Sequence, residues 1–406
     1  VDVANLIGRC VVSGNVRRTA EIAFGDPNSK EYVNLKDYRK NPHREAWGWT
    51  SNNSVFANIG MDYSSVCDSV RVNGEPGFAW LDNMRTHGRM NGLENDGADH
   101  LVAGGNPCLE QSLESFEMCC LVETFPERHE SLDEYLETLQ YALMYAKTVT
   151  LGQTHWERTN EVMQRNRRIG TSMTGVAQFI CSRGLEELRQ WCEAGVAKLR
   201  EEDERLSAIF DVPTSRKITS IKPSGTVSLL AGATPGMHYP ESRYYIRRLR
   251  LPSDSPLAEN LREAGYPLEP ASGDEQRTVV CEFPIDAGEG MRTSHEVSMW
   301  EQLSLAAFLQ KHWADNQVSC TVTFDPEKEG SQLEHALEYF QYQVKGISFL
   351  PRIDSGAYPQ MPYEAIEEEE YRRRLENLKD IQFSAKTARQ NEEVPDKFCD
   401  GDSCVL

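Results

Sequence analysis

The run Asn106-Pro107-Cys108-Leu109-Glu110 puts an amide, a thiol and a carboxylate within five residues, and Pro107 stiffens it against helix. In an extended segment, residues two apart face the same side, so Asn106, Cys108 and Glu110 are spaced to act on one substrate. A thiol is a nucleophile, a metal ligand or a redox centre. A carboxylate two residues away does not favour a thiolate, because like charge raises the thiol pKa. The pair therefore suits hydrogen-atom chemistry on a neutral thiol better than the work of a cysteine-protease nucleophile. An isolated Asn-Pro-Cys is equally what a buried cysteine in a turn looks like, so the weight falls on the residues that accompany it.

Cys119 follows Cys108 by eleven positions, with Cys120 beside it as a second candidate. Cys10 lies in Gly8-Arg9-Cys10-Val11-Val12, where a packing cysteine is the alternative. Cys399 and Cys404 stand near the end of a polar stretch without hydrophobic periodicity, which suits a redox pair on a mobile arm; half a zinc site or two idle thiols are the alternatives. In Lys222-Pro223-Ser224-Gly225-Thr226-Val227-Ser228, small hydroxyl residues and glycine after a strand would let backbone N–H groups approach a phosphate. The loop lacks the Gly-Lys-Ser/Thr ending of a Walker A motif. Arg243, Arg247, Arg248 and Arg250 follow, as a complement to phosphates or as the exposed side of an edge strand, with Tyr244 and Tyr245 structural or substrate-side.

Taken in this order, Cys10, the Asn106–Glu110 run, Cys119, the Lys222–Ser228 loop and the Cys399/Cys404 pair resemble the catalytic chain of ribonucleotide reductases. The likeness is to the adenosylcobalamin-dependent class II type that acts on ribonucleoside triphosphates. The resemblance implies a ten-stranded α/β barrel of two antiparallel halves of parallel strands, with Cys108 on a finger loop through its centre. It also implies that Cys108 becomes a thiyl radical and takes the substrate's 3′-hydrogen. Glu110 would deprotonate the 3′-hydroxyl and Asn106 would orient the ribose, while Ser224, Gly225, Thr226 and Ser228 would hold the phosphates. Cys10, as a barrel-strand cysteine, and Cys119 would supply two reducing equivalents and end as a disulfide. Cys399 and Cys404 would reduce that disulfide and be reset by thioredoxin or a similar dithiol. The outcome would be deoxyribonucleotides for DNA synthesis. A class I-like catalytic chain with a separate radical subunit, and an inactive nucleotide-binding remnant, are the competing readings. Only 98 positions separate Cys10 from Cys108, short for the family, so the effector-binding region is expected to be reduced.

These residues need a scaffold, and composition allows one. The 406 residues are 39% hydrophobic and 26% charged, enough for a large globular core. A formal charge of −20 argues against nucleic-acid and anionic-membrane partners, which call for clustered Lys and Arg. Eleven scattered cysteines suit a reducing compartment, hence a cytoplasmic location, and no apolar run approaches a bilayer span. The start at Val1 reads as a trimmed N-terminus. Ser131-Leu132-Asp133-Glu134 is a capping box opening a helix through Leu136, Leu139 and Leu143. Helical spacing at Met299–Leu309, a strand over Asn316–Phe324, a helix near 332–343 and the apolar run Ile347–Leu350 give helix then strand twice, the pattern of a parallel sheet. Residues 1–379 are expected to form the catalytic barrel and 380–406 a redox-active tail. Side-chain metal ligation is not expected, because histidine pairs and Cys-x-x-Cys are missing.

Overall fold

A computed structural model describes residues 1–13, 19–92, 99–272, 275–352 and 360–382. The strands, in chain order, are β1 (Glu21–Gly25), β2 (Ser51–Phe56), β3 (Gly77–Ala79), β4 (Gly104–Gly105), β5 (Ser112–Leu113), β6 (Leu121–Thr124), β7 (Gly170–Met173), β8 (Thr219–Ser220), β9 (Tyr244–Pro252), β10 (Leu268–Pro270), β11 (Thr278–Asp286), β12 (Thr321–Phe324), β13 (Gly346–Pro351) and β14 (Tyr363–Ala365). They fall into two compact units: Val1–Glu241 with Gly288–Asp354, and Ser242–Ala287 with Ser355–Leu406.

The first unit is α/β. β1, β2 and β3 are mutually parallel, β3 meets β13 antiparallel, and β13 is parallel to β12. β6, β7 and β8 form a second parallel group. A parallel bridge from Ile221 to Val318 carries β8 on towards β12. Five strands thus run one way and three the other, which matches the expectation of parallel strands in antiparallel halves. The two helix-then-strand repeats are present: Met299–His312 leads to β12 and Leu333–Phe340 to β13. Long parallel crossovers of this kind need helices to cover the sheet. Leu132–Val149 and Leu185–Phe210 supply that cover through Leu139, Leu143, Leu188, Trp191 and Leu199, all in the main core.

The helix Leu132–Val149 begins as its sequence requires. Ser131 Oγ accepts from Glu134 N at 3.3 Å, while the Glu134 carboxylate reaches back to Glu130 N at 2.8 Å, so two otherwise orphaned N–H groups are satisfied. Among the described residues, no helix is long and apolar enough to cross a membrane.

The second unit is a four-stranded antiparallel sheet in the order β10-β11-β9-β14. β9 is an interior strand, so the edge-strand alternative for its arginines is corrected. Within this unit Arg248 pairs with Glu282 at 2.6 Å and Glu364 at 2.5 Å, Arg243 pairs with Asp286, and Arg247 lies over the Tyr363 ring at 4.4 Å. Tyr244 and Tyr245 pack on Tyr371 and Tyr363, consistent with a structural role.

Candidate active site

β4 and β5 form a two-rung hairpin, Gly104 opposite Leu113 and Gly105 opposite Ser112, whose loop is the Asn106–Glu110 run and Gln111. The loop is fastened at every turn. Leu109 N donates to Asn106 O at 2.7 Å and Gln111 N to the Asn106 side chain at 2.9 Å. Asn52 of β2 donates to Pro107 O at 2.8 Å, Ser319 Oγ to Cys108 O at 2.5 Å, and Gln317 N to Glu110 O at 3.1 Å. Its tip is therefore tied both to the strand group that holds β2 and to the approach to β12. Leu109 adopts φ 58, a conformation that costs a non-glycine residue free energy. Its side chain repays this by burial against Ala79, Met84 and Val102.

That kink turns the chemistry outward and the support inward. Cys108 is exposed, whereas Asn106 and Glu110 are buried. The Cys108 thiol opens on a cavity of about 310 Å³ lined by Asn52, Ser54, Ser319, Thr321 and Ser348, with Gly77 and Gly346 in its walls. Burial of its surroundings and the Glu110 carboxylate push the Cys108 thiol up to about 11, with Lys222 pulling the other way. The thiol is thus neutral at physiological pH, as the sequence spacing predicts. Burial also raises Glu110; the Asn106 amide and Lys222 oppose it, and Glu123 reinforces it. Among the described residues, no group hydrogen-bonds Glu110 Oε2.

Beneath the loop lies a buried ionic network. Lys217 contacts Asp99 at 2.6 Å and donates to Met84 O at 2.7 Å and to Ser112 Oγ at 3.2 Å. Arg168 contacts the same Asp99 at 2.7 Å and Glu117 at 3.0 Å. Burial works against the Asp99 carboxylate, yet Lys217 and Arg168 together hold it below its usual range. Ser112 passes the contact to Gln317 at 2.7 Å, and Gln317 holds Glu110. The network therefore supports the stem of the loop.

Cys119 joins the site and Cys120 does not. Cys119 is exposed, and its thiol and that of Cys108 lie within electrostatic reach of each other; burial and Glu110 raise it. Cys120 is buried, and its carbonyl receives the Gln111 side chain. Alternation along the strand explains the division, since Cys119 and Glu123 share one face and Cys120 the other.

Cys10 differs from expectation. It lies on the helix Asp2–Ser13, on no strand, and is exposed beside Leu6, Ile7 and Val11. The helix seats through Asn5 and Gly8, against Glu21 and Thr50. The structure thus brings together Asn106, Cys108, Glu110 and Cys119, while Cys10 lies on the N-terminal helix of the same unit. Cys399 and Cys404 lie outside the described residues.

The Lys222–Ser228 loop leaves β8 as expected and runs into the short helix Val227–Leu230. Ser224 and Ser228 are buried and bond each other, Ser228 N to Ser224 Oγ at 3.1 Å and Ser228 Oγ to Ser224 O at 2.6 Å. They shape the turn, while Gly225, Thr226 and Val227 are its exposed members. Sequence reasoning gave no role to Lys222, Glu123, Gln317 or Ser319; strand alternation from Cys119 was the available signal for Glu123.

No family model matches the chain. It is 61% identical over 408 residues to a probable adenosylcobalamin-dependent ribonucleoside-triphosphate reductase of Dictyostelium discoideum, covering 100% of this chain and 54% of that protein. It is 57% identical over 410 residues to the adenosylcobalamin-dependent ribonucleoside-triphosphate reductase of Euglena gracilis, covering 100% and 56%. Its fold matches a crystal structure of a B12-dependent, class II ribonucleotide reductase with TM-score 0.83 and 33% identity, over 97% of this chain and 58% of that one. A class Id ribonucleotide reductase α subunit of Actinobacillus ureae, 14% identical, shares the fold at TM-score 0.58 over 86% and 74%. The chain spans about half the length of the curated relatives it matches. By sequence along its whole length and by fold, it belongs to the adenosylcobalamin-dependent, class II ribonucleotide reductase family.

Proposed function

We propose that the chain carries the catalytic centre of an adenosylcobalamin-dependent ribonucleoside-triphosphate reductase, which makes deoxyribonucleotides by thiyl-radical chemistry. The observation that carries this reading is an exposed thiol, Cys108, at the tip of a loop fastened by hydrogen bonds, with a buried amide and carboxylate behind it and a second exposed thiol, Cys119, within electrostatic reach. We take β1–β3, β6–β8, β12 and β13, the eight strands of the two parallel groups, as part of a ten-stranded barrel around that loop.

The cavity over Cys108 suits the nucleoside part of the cofactor. Its volume of about 310 Å³ lies at the lower end of small-molecule sites, and Asn52, Ser54, Ser319 and Ser348 offer donors and acceptors for ribose and base. Adenosylcobalamin, when bound, supplies the homolytic chemistry that makes Cys108 a radical. The chain's own residues do the rest. Cys108 takes the 3′-hydrogen of the ribonucleotide. Glu110, with Oε2 unengaged, accepts the 3′-hydroxyl proton and so assists loss of the 2′-hydroxyl as water, and Asn106 keeps that carboxylate oriented. Gly225 and Thr226 meet the phosphates from a turn shaped by Ser224 and Ser228. Cys10 and Cys119 provide the two reducing thiols and end as a disulfide. Cys399 and Cys404 return electrons to the site from thioredoxin or another dithiol by thiol exchange.

Anaerobic incubation of the chain with CTP or CDP, with and without adenosylcobalamin and a dithiol, tests the reading. Deoxynucleotide formed from CTP only when both additions are present is the expected result. Turnover without cobalamin overturns the cofactor assignment, and preference for CDP overturns the triphosphate.

A further inference from the structure

Two carboxylates at the site each keep one buried oxygen unengaged. Glu110 Oε2 and Glu123 Oε2 have no hydrogen-bond partner among the described residues, although both side chains are more than nine-tenths buried. They come from different elements, the hairpin loop and β6, and each lies close enough to influence the other. Unengaged buried carboxylate oxygens are costly unless something neutralises them.

Lys222 is that something. Its backbone is fixed at the end of β8, where Lys222 N donates to Ser172 Oγ at 2.9 Å. Its ammonium stands 3.9 Å from Glu123 Oε2, and Thr174 Oγ1 steadies the other Glu123 oxygen at 2.5 Å. The groups that act electrostatically on Glu110, or on which it acts, are Cys108 on its own loop, Cys119 before β6, Glu123 in β6 and Lys222 after β8, with the Asn106 amide bonded to it. Lys222 is the cation among them, and its charge reaches Glu110 and both thiols. A site with a base and two thiols has a conflict: low dielectric and a neighbouring carboxylate favour protonating Glu110, while strong positive charge would ionise the thiols. One lysine shared between two carboxylates gives an intermediate field.

We propose that Lys222, anchored by Glu123, is the shared counter-charge that keeps Glu110 ionised between two neutral thiols, so that Lys222 and Glu123 are positioning residues of the reaction. The inference rests on the reductase reading, and it predicts opposite effects from its two members. Losing Lys222 leaves Glu110 protonated to higher pH. Losing the Glu123 charge frees Lys222 for Glu110 and keeps Glu110 ionised to lower pH.

The test is the pH profile of CTP reduction for Lys222→Met, Lys222→Arg and Glu123→Gln. Lys222→Met is expected to move the acid limb to higher pH, with a rate about tenfold lower on that flank. Lys222→Arg should restore the limb, and Glu123→Gln should move it to lower pH. In parallel, iodoacetamide alkylation of Cys108 and Cys119 is followed by mass spectrometry on the chain alone. Lys222→Met should slow both at pH 9 by about threefold to tenfold, because the cation that favours each thiolate is gone. Limbs that stay in place, or that move together in both variants, overturn the proposal. If wild type does not reduce CTP, the reductase reading fails by itself, and unchanged alkylation then overturns the electrostatic arrangement as well.

Discussion

Gly346 and Leu109 interlock. A Cβ added to Gly346 would stand 2.6 Å from Leu109 Cδ2, so β13 omits a side chain where the Asn106–Gln111 loop inserts one. On the other side, a Cβ at Gly105 would stand 2.7 Å from Leu109 Cδ1 and 2.6 Å from Gln111 O. Leu109 is thus clamped between two glycines, and that clamp holds the left-handed residue separating outward Cys108 from inward Glu110.

Gly346→Val should therefore push Leu109 from its socket. The expected loss is about 1–3 kcal/mol of stability, typical of overpacking a tight contact. Thermal denaturation reads the stability, and iodoacetamide labelling of Cys108 reads the loop; both should change. An unaltered labelling rate would mean that Leu109 does not set the Cys108 geometry.

Asp99→Asn removes the carboxylate shared by Lys217 and Arg168 while keeping its shape. Leaving two buried cations short of a partner should cost about 3–5 kcal/mol. The sign with pH follows from the direction of the shift. Asp99 is held below its usual range, so its contribution is present above about pH 4 and is lost as pH falls further. Urea unfolding at pH 7 and pH 3 should therefore show a smaller wild-type advantage over Asp99→Asn at pH 3.

Alkylation of Cys108 should keep rising beyond pH 10, since its thiol titrates at about 11. Glu110→Gln removes a like charge and should speed labelling at pH 9 by about threefold to tenfold. An unchanged profile would separate Glu110 from the thiol electrostatically.

Cys119→Ser and Cys10→Ser should each end repeated turnover with a dithiol, because each removes one exposed thiol of the proposed reducing pair. Repeated turnover retained by Cys10→Ser would take Cys10 out of that pair.

Much of this arrangement was legible in the chain and some was not, for identifiable reasons. The loop chemistry was local: three residue types within five positions, with Pro107 excluding helix. The repeats ending in β12 and β13 had periods that distinguish helix from strand. Lys217 and Asp99 are 118 positions apart, and no periodicity marks such a pair. The second unit is assembled from two separated segments, so the arginines of β9 find Glu282 and Glu364 at a distance the sequence does not display. Cys10 stands on a helix and not on the expected strand, because Val3, Leu6, Ile7 and Cys10 carry helical spacing. Leu109 gave no signal at all: a left-handed leucine is imposed by its socket and not by its own preference.

The central claim is that Cys108 abstracts the substrate hydrogen. The most direct measurement is anaerobic reduction of CTP by wild type and Cys108→Ser with adenosylcobalamin and a dithiol, with CTP binding followed in the same samples. Product from wild type and none from Cys108→Ser, with CTP binding retained, is the predicted result. Deoxynucleotide formed by Cys108→Ser would contradict the account.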